Sequence, residues 1–187
     1  MGSQTTFERE VKLAFASAEA ARQAVSSLGL TPMAERRLQD DRLLDTADQR
    51  LRAERSALRV RAEGGSARVT FKGPVRPAAM KLREEIETSV GDAETMLRLL
   101  AALGFHPWFR YQKFRQEYRN TDVVVAIDET PIGTFLEVEG TETGIEAIVQ
   151  ALGRTRADFI VESYYSLFDA WRRTTGSAAR DMLFERT

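Results

Sequence analysis

Through most of this chain polar and apolar residues alternate with a period of two, and the pattern relaxes to a helical period in only a few places. Residues 5–15 read as a first strand, with Glu8, Glu10 and Lys12 on one face and Val11 and Leu13 on the other. Ser17 then caps a helix whose Ala21, Ala24, Val25 and Leu28 share a face, closed by Gly29. Residues 36–45 read as a second strand, made unusually polar by Arg36-Arg37 and Asp40-Asp41-Arg42, and 47–55 as a short helical turn. Leu58-Arg59-Val60-Arg61-Ala62 alternates strictly. Glu63-Gly64-Gly65-Ser66 is a hairpin turn, and Arg68 to Lys72 forms a fourth strand stopped by Gly73-Pro74.

Pro74 and Pro77 mark 75–80 as a loop. Residues 82–90 alternate again, and Asp92 caps a helix with Met96, Leu99, Leu100 and Leu103 in one stripe, ended by Gly104. Strands follow over 109–119, 123–128 and 135–139, separated by Asn120-Thr121 and by Pro131 and Gly133. Thr143 and Glu146 form a capping box for a helix carrying Ile145, Ile148, Val149 and Leu152. From Ser163 a helix turns Tyr164, Leu167, Phe168 and Trp171 inward, and a short helical end follows. The pattern gives eight strands and about four helices in one domain, 1–187, with no internal repeat or linker.

Several strands carry charge at every second position. Each alone reads as the solvated face of a half-exposed sheet. Together they do not, because like charges recur on one face: Glu8 with Glu10, Arg59 with Arg61, Lys113 with Arg115, Glu137 with Glu139. The helices also need an apolar sheet face to cover. If they coat the outside, the charged faces turn inward, and eight strands are enough to close a barrel. The inward set is then Glu8, Glu10, Lys12, Arg59, Arg61, Lys72, Arg83, Glu85, Glu87, Lys113, Arg115, Asp128, Glu137 and Glu139, seven cations and seven anions. Unpaired charge in a dry interior is untenable. A water-filled tunnel holding divalent ions is consistent with the set; two ions would leave it net positive and suited to a polyphosphate.

Composition narrows the classes. At 187 residues, 43% hydrophobic and 29% charged, the chain is an ordinary globular domain. A net charge of -1 carries no general basic footprint for nucleic acid. The absence of cysteine excludes thiolate metal sites and suits a reducing, cytoplasmic compartment. With one histidine, His106, a metal must be held by carboxylates, which favours magnesium, manganese or calcium. No apolar run is long enough for a membrane span. The opening Met1-Gly2-Ser3 fits a loose myristoylation pattern and also a cloning remnant.

Taken in order, Glu8-x-Glu10-x-Lys12, Leu58-Arg59-Val60-Arg61, Thr70-Phe71-Lys72-Gly73, Arg83-x-Glu85-x-Glu87, Lys113-x-Arg115, Asp128 and Glu137-x-Glu139 resemble the motifs of CYTH-domain proteins, the triphosphate tunnel metalloenzymes. The resemblance spans residue 5 to about 170. It implies an α+β fold, an eight-stranded antiparallel β-barrel forming a triphosphate tunnel, with helices packed on the outside: a core over about 5–140 and C-terminal helices over 143–185. It implies two magnesium or manganese ions held by Glu8, Glu10, Asp128, Glu137 and Glu139. Lys12, Arg59, Arg61, Lys72 and Arg115 would bind the triphosphate, helped by Arg83 and Lys113, and Glu85 or Glu87 would position the attacking water. The catalytic set that the resemblance implies is Lys12, Glu85 and Glu87.

The family includes class IV adenylyl cyclases, thiamine triphosphatases and inorganic triphosphatases. Class IV cyclases carry a His-Phe pair shortly before the first motif, where this chain has Ser3-Gln4-Thr5-Thr6. The leading expectation is therefore metal-dependent hydrolysis of inorganic or nucleoside triphosphate by a monomer or homodimer, without nucleic-acid or membrane partners. The alternatives are cyclic AMP formation, thiamine triphosphate hydrolysis, and a polyphosphate-binding module without turnover. Trp108 and Trp171 read as core packing rather than a wall for an organic cation. His106, Arg36-Arg37 and Arg172-Arg173 read as surface residues, and Tyr164 and Tyr165 as packing or capping at the barrel end. Lys81 and Arg180 could reach a tunnel mouth without being singled out.

Overall fold

A computed structural model describes residues 6–76 and 80–185. The Met1-Gly2-Ser3 reading and part of the 75–80 loop lie outside the described residues. The strands are β1 (Thr6–Phe15), β2 (Thr31–Asp45), β3 (Ala57–Glu63), β4 (Ser66–Lys72), β5 (Lys81–Val90), β6 (His106–Arg119), β7 (Val123–Thr130) and β8 (Gly133–Gly140). The helices are α1 (Ala18–Ser26), α2 (Arg50–Ala53), α3 (Ala93–Ala102), α4 (Glu142–Ala151) and α5 (Tyr164–Thr175), with a 3₁₀ turn at Arg156–Asp158.

The strands' apolar faces turn outward, and the helices cover them. Val11, Leu13, Val125, Ile127, Leu136 and Val138 are buried beneath α1 and α4, against Ala21, Val25, Ile145, Ile148 and Val149. Leu44, Leu58 and Val60 pack under Leu51 of α2 and Leu97 of α3. The third cluster is different: Phe109 and Phe135 continue the inward faces of β6 and β8 and meet Tyr164 and Phe168 of α5, with Trp108 and Trp171 beside them. The sheet has no free edge: it closes in the order β1-β5-β4-β3-β2-β6-β7-β8, with every neighbouring pair antiparallel. Among the described residues no helix is long and apolar enough to cross a membrane.

Three local expectations are corrected. β2 begins at Thr31, five residues before the expected strand, because its polar start pairs with the end of β6, Thr31 opposite Arg119. The cap of α4 is Thr141, whose hydroxyl accepts the Gly144 N–H at 3.1 Å; the expected cap, Thr143, lies inside the helix, and Glu146 pairs with Arg156. Just before Thr141, Gly140 sits at φ +151°, where only glycine fits: a Cβ there would lie 2.1 Å from the Asp122 carbonyl oxygen. The tail beyond α5 is extended rather than helical. Gly176 ends α5 in a left-handed conformation, and Met182 then exchanges backbone hydrogen bonds with Arg110 and Gln112 of β6.

Asp45 fixes the turn from β2 into α2. Its carboxylate accepts the N–H groups of Thr46 (2.8 Å), Leu51 (2.9 Å) and Arg52 (3.1 Å), supplying the cap that Gln49 does not. Burial would raise this carboxyl, but the three backbone donors outweigh it and hold it below the usual carboxylate range. Asp45→Ala is expected to cost about 2 kcal/mol in urea denaturation at pH 7. A depressed folded-state value stabilises above the unfolded one. The stability gap between wild type and Asp45→Ala should therefore be full at pH 7 and shrink once pH falls below about 4.

Candidate active site

The barrel encloses a cavity of about 460 Å³. Thirteen of the fourteen residues expected inward line it; Asp128 is the exception, placed on the inward face opposite Arg115 but fully buried beneath Lys113, Arg115 and Tyr164. Strand register explains the grouping. On one side of β1, Glu8 pairs with Arg83 and Glu10 with Lys81 of β5; on the other, Glu10 pairs with Glu139 and Lys12 with Glu137 of β8. β4 sets Lys72 opposite Glu85 and Thr70 opposite Glu87. β5 starts only at Lys81, so the edge of β1 at Lys12 is left without a strand partner there. Ile160 takes it with two backbone hydrogen bonds, of 3.0 and 2.9 Å. This brings Ser163, Tyr164 and Tyr165 into the cavity wall at the start of α5.

The acidic groups crowd where β1, β5 and β8 meet. Burial, then repulsion from Glu10, pushes the Glu8 carboxyl up to about 8 despite Lys72 nearby. Burial would raise Glu85 too, but its hydrogen bond with Glu8 and the Lys72 ammonium, 2.7 Å away, bring it down to about 2. Glu8 thus keeps a proton that Glu85 gives up. Glu10 is held well below the carboxylate range: burial opposes this, and Lys12 at 3.0 Å and Lys81 prevail. Glu137 is likewise lowered against burial by Arg115, Lys113 and Lys12. Glu139 is raised to about 7 by burial and by Glu10, and among the described residues it has no ion-pair partner.

The cationic residues are held in pairs from behind. Asp41 binds Arg61 through both oxygens, at 2.8 and 3.2 Å, and lies 3.4 Å from Arg59. Asp128 binds Lys113 at 2.7 Å and Arg115 at 2.6 Å, and accepts the Tyr164 hydroxyl at 2.7 Å. Burial and the neighbouring Arg115 bring Lys113 down to about 8. Arg83 donates to the carbonyls of Gly73 and Lys72, at 2.9 and 2.8 Å, fixing the end of β4 beside the cavity. Glu87 accepts from Thr70 at 2.7 Å and from Arg68 at 3.2 Å.

Several residues that line or support the cavity lie outside the expected set. Lys81 extends the alternation of Arg83, Glu85 and Glu87 by one position, which was the signal for it. Asp41 sat in a run, Asp40-Asp41-Arg42, whose face could not be assigned without the register; Asp40 points outward to Arg110. Tyr111, Arg68 and Glu117 also line the cavity. Tyr164 both closes the barrel end and serves the polar site. Arg36 stacks on Phe114 and pairs with Glu129, while Arg37 pairs with Glu63 and Glu117, so neither is simply solvated. His106 opens β6 and is exposed. Neither tryptophan lines this cavity.

The donor set suits a hard divalent ion: Glu8, Glu10, Glu137 and Glu139 offer carboxylate oxygens across two adjacent strands, and Glu139 has no ion-pair partner among the described residues. Among the described residues no three such groups form a ready-made cage, because Glu10 and Glu137 turn onto lysine and arginine. Asp128 would have to give up Lys113, Arg115 and Tyr164 to join them. Glu139→Gln removes repulsion without breaking an ion pair. It is expected to leave the melting temperature in chelator unchanged or higher, and to reduce the rise produced by magnesium or manganese chloride. An undiminished rise would remove Glu139 from the cation site.

Comparison with known proteins agrees with this geometry. The CYTH domain family model matches residues 6–173. A Methanocaldococcus jannaschii protein named "Putative adenylate cyclase" is 32% identical over 144 residues, 71% of this chain and 82% of that protein. A solved Pyrococcus horikoshii structure superposes with a TM-score of 0.74 at 25% identity, over 88% of this chain and 99% of that one. A Hippeastrum protein, described as a putative adenylyl cyclase with a dominant triphosphatase activity, superposes with a TM-score of 0.64 at 19% identity, covering 88% and 95%. With its closed eight-stranded barrel and a family match over nearly its whole length, this chain belongs to the CYTH domain family.

Proposed function

We propose that this protein hydrolyses a triphosphate, inorganic or nucleoside, within the barrel and with a divalent ion. The observation that carries the reading is the sorting of charge in one cavity: carboxylates crowd at the β1–β5–β8 junction, and paired cations stand on the β3 and β6 walls. Glu8, Glu10, Glu137 and Glu139 are the residues to hold the ion. Once bound, magnesium or manganese would offset charge on the phosphoryl oxygens. Lys12, Arg59, Arg61, Lys72, Lys113 and Arg115 would bind phosphate oxygens by charge-assisted hydrogen bonds and neutralise charge developing in the in-line transfer. Water adds to the terminal phosphorus, the bridging P–O bond breaks, and orthophosphate and the diphosphate leave. Glu85 and Glu87 are the candidates to orient that water. Glu85, brought down to about 2, suits orienting through an accepted hydrogen bond more than removing a proton.

The cavity offers no clear platform for a base. Its aromatic lining is three tyrosines: the Lys12 and Lys113 ammoniums lie 5.3 and 4.9 Å from the Tyr164 ring centre, and Tyr165 packs edge-on to Trp108 and Phe109. This supports hydrolysis of the phosphate chain with little contact to an organic group. The second reading, cyclic AMP formation from ATP, is favoured by the name of the 32% identical relative. Phosphate release from inorganic triphosphate and ATP, measured beside cyclic AMP production with magnesium and manganese, separates the two. Phosphate release is expected to dominate; faster cyclic AMP formation would reverse the assignment. Glu10→Gln is expected to abolish turnover in a folded protein. Arg59→Ala should weaken triphosphate binding by roughly 1.5–3 kcal/mol, a loss of about tenfold or more in a calorimetric titration.

A further inference from the structure

Asp41 does not line the cavity, yet it touches two side chains that do. Register sets it there: β2 pairs Asp41 with Arg61 of β3 and with Tyr111 of β6, and pairs the next inward residue, Leu43, with Arg59. The carboxylate is fully buried. Both of its oxygens are committed to Nε and one terminal nitrogen of Arg61, a fork that fixes the guanidinium plane. Arg59 is constrained differently. One terminal nitrogen donates to Thr70 at 3.1 Å and lies 3.6 Å from Glu87. Its Nε lies 3.4 Å from Asp41 and is buried without a hydrogen-bond partner among the described residues. Asp41 therefore fixes the Arg61 guanidinium through two hydrogen bonds and meets Arg59 through charge at 3.4 Å, leaving donors on each unspent. Next along the barrel wall, Asp128 of β7 holds Lys113 and Arg115 of β6 in the same manner.

We propose that Asp41 is a positioning residue of the anion site, holding Arg59 and Arg61 so that their remaining donors converge on one phosphate of a bound polyphosphate. The inference rests on the polyphosphate reading above and goes beyond it by assigning a role to a residue that touches no substrate. Charge and positioning make opposite demands here. A carboxylate behind two arginines lowers the local positive potential, so by charge alone its removal should tighten anion binding. An anchor, by contrast, spares long side chains the rotamer freedom they would otherwise lose on binding, so its removal should weaken binding.

The test is a calorimetric titration of inorganic tripolyphosphate with magnesium chloride against wild type, Asp41→Asn, Asp41→Glu and Arg59→Ala. Asp41→Asn is expected to bind on the order of tenfold more weakly although its net charge has risen by one. In steady-state kinetics its KM should rise by more than its kcat falls. Asp41→Glu keeps the charge and shifts the carboxylate by one methylene, so it should also bind several-fold more weakly than wild type; it decides the question if Asp41→Asn does not fold. Binding by either folded variant that is as tight as wild type, or tighter, overturns the proposal. If Arg59→Ala binds tripolyphosphate as wild type does, the polyphosphate reading fails first and takes this assignment with it. If Arg59→Ala is weakened and the Asp41 variants are not, only the Asp41 role is lost.

Discussion

Charge neutrality inside a closed barrel is the constraint on which the rest of this structure depends. Nine lysines and arginines line the cavity beside seven carboxylates, and Asp41 and Asp128, buried beneath those cations, level the count. Each group would be costly to enclose alone, since an unpaired ion inside a protein loses several kcal/mol of solvation. Enclosed together they hold one another. The arrangement is tolerable because the apolar work of folding is done elsewhere, between the outer faces of the strands and the covering helices.

That division of labour leaves the interior free for chemistry. The three clusters under α1 and α4, under α2 and α3, and under α5 fix the strands, and the strands fix the charged side chains at spacings set by register. Balance does not mean uniformity. Glu10 and Glu137 are held ionised by lysine and arginine, whereas Glu8 and Glu139 resist ionisation because burial and neighbouring carboxylates outweigh the cations within reach. The cavity therefore groups most of its carboxylates at one junction, among Lys12, Lys72 and Lys81, and holds anchored cations on the β3 and β6 walls. A metal-bound polyphosphate has the complementary charge pattern.

The local elements were largely legible because period-two alternation survives in short windows. β1, β3, β4, β7 and β8 follow their expected spans closely, and Ser17, Asp92 and Ser163 cap the helices they precede. Legibility failed where a boundary depended on a distant partner. The first residues of β2 are strand because β6 is long enough to pair with them, and the tail after α5 is extended because Arg110 and Gln112 offer it backbone groups. Thr143 satisfied the spacing of a cap, but Thr141, whose N–H bonds to the distant Asp122 carbonyl, takes that place.

Sequence by itself determined which face of each strand is charged, and from the recurrence of like charges on those faces that the charged side must be enclosed. It thereby named thirteen of the residues lining the cavity, because alternation is a local property of extended backbone. Only the tertiary structure decided which charges meet. Register placed Lys81 on Glu10, separated Asp41 from its outward neighbour Asp40, and set Asp128 opposite Arg115, where Lys113, Arg115 and Tyr164 cover it. Those choices arise from pairing between segments far apart in the chain, and no local pattern encodes them.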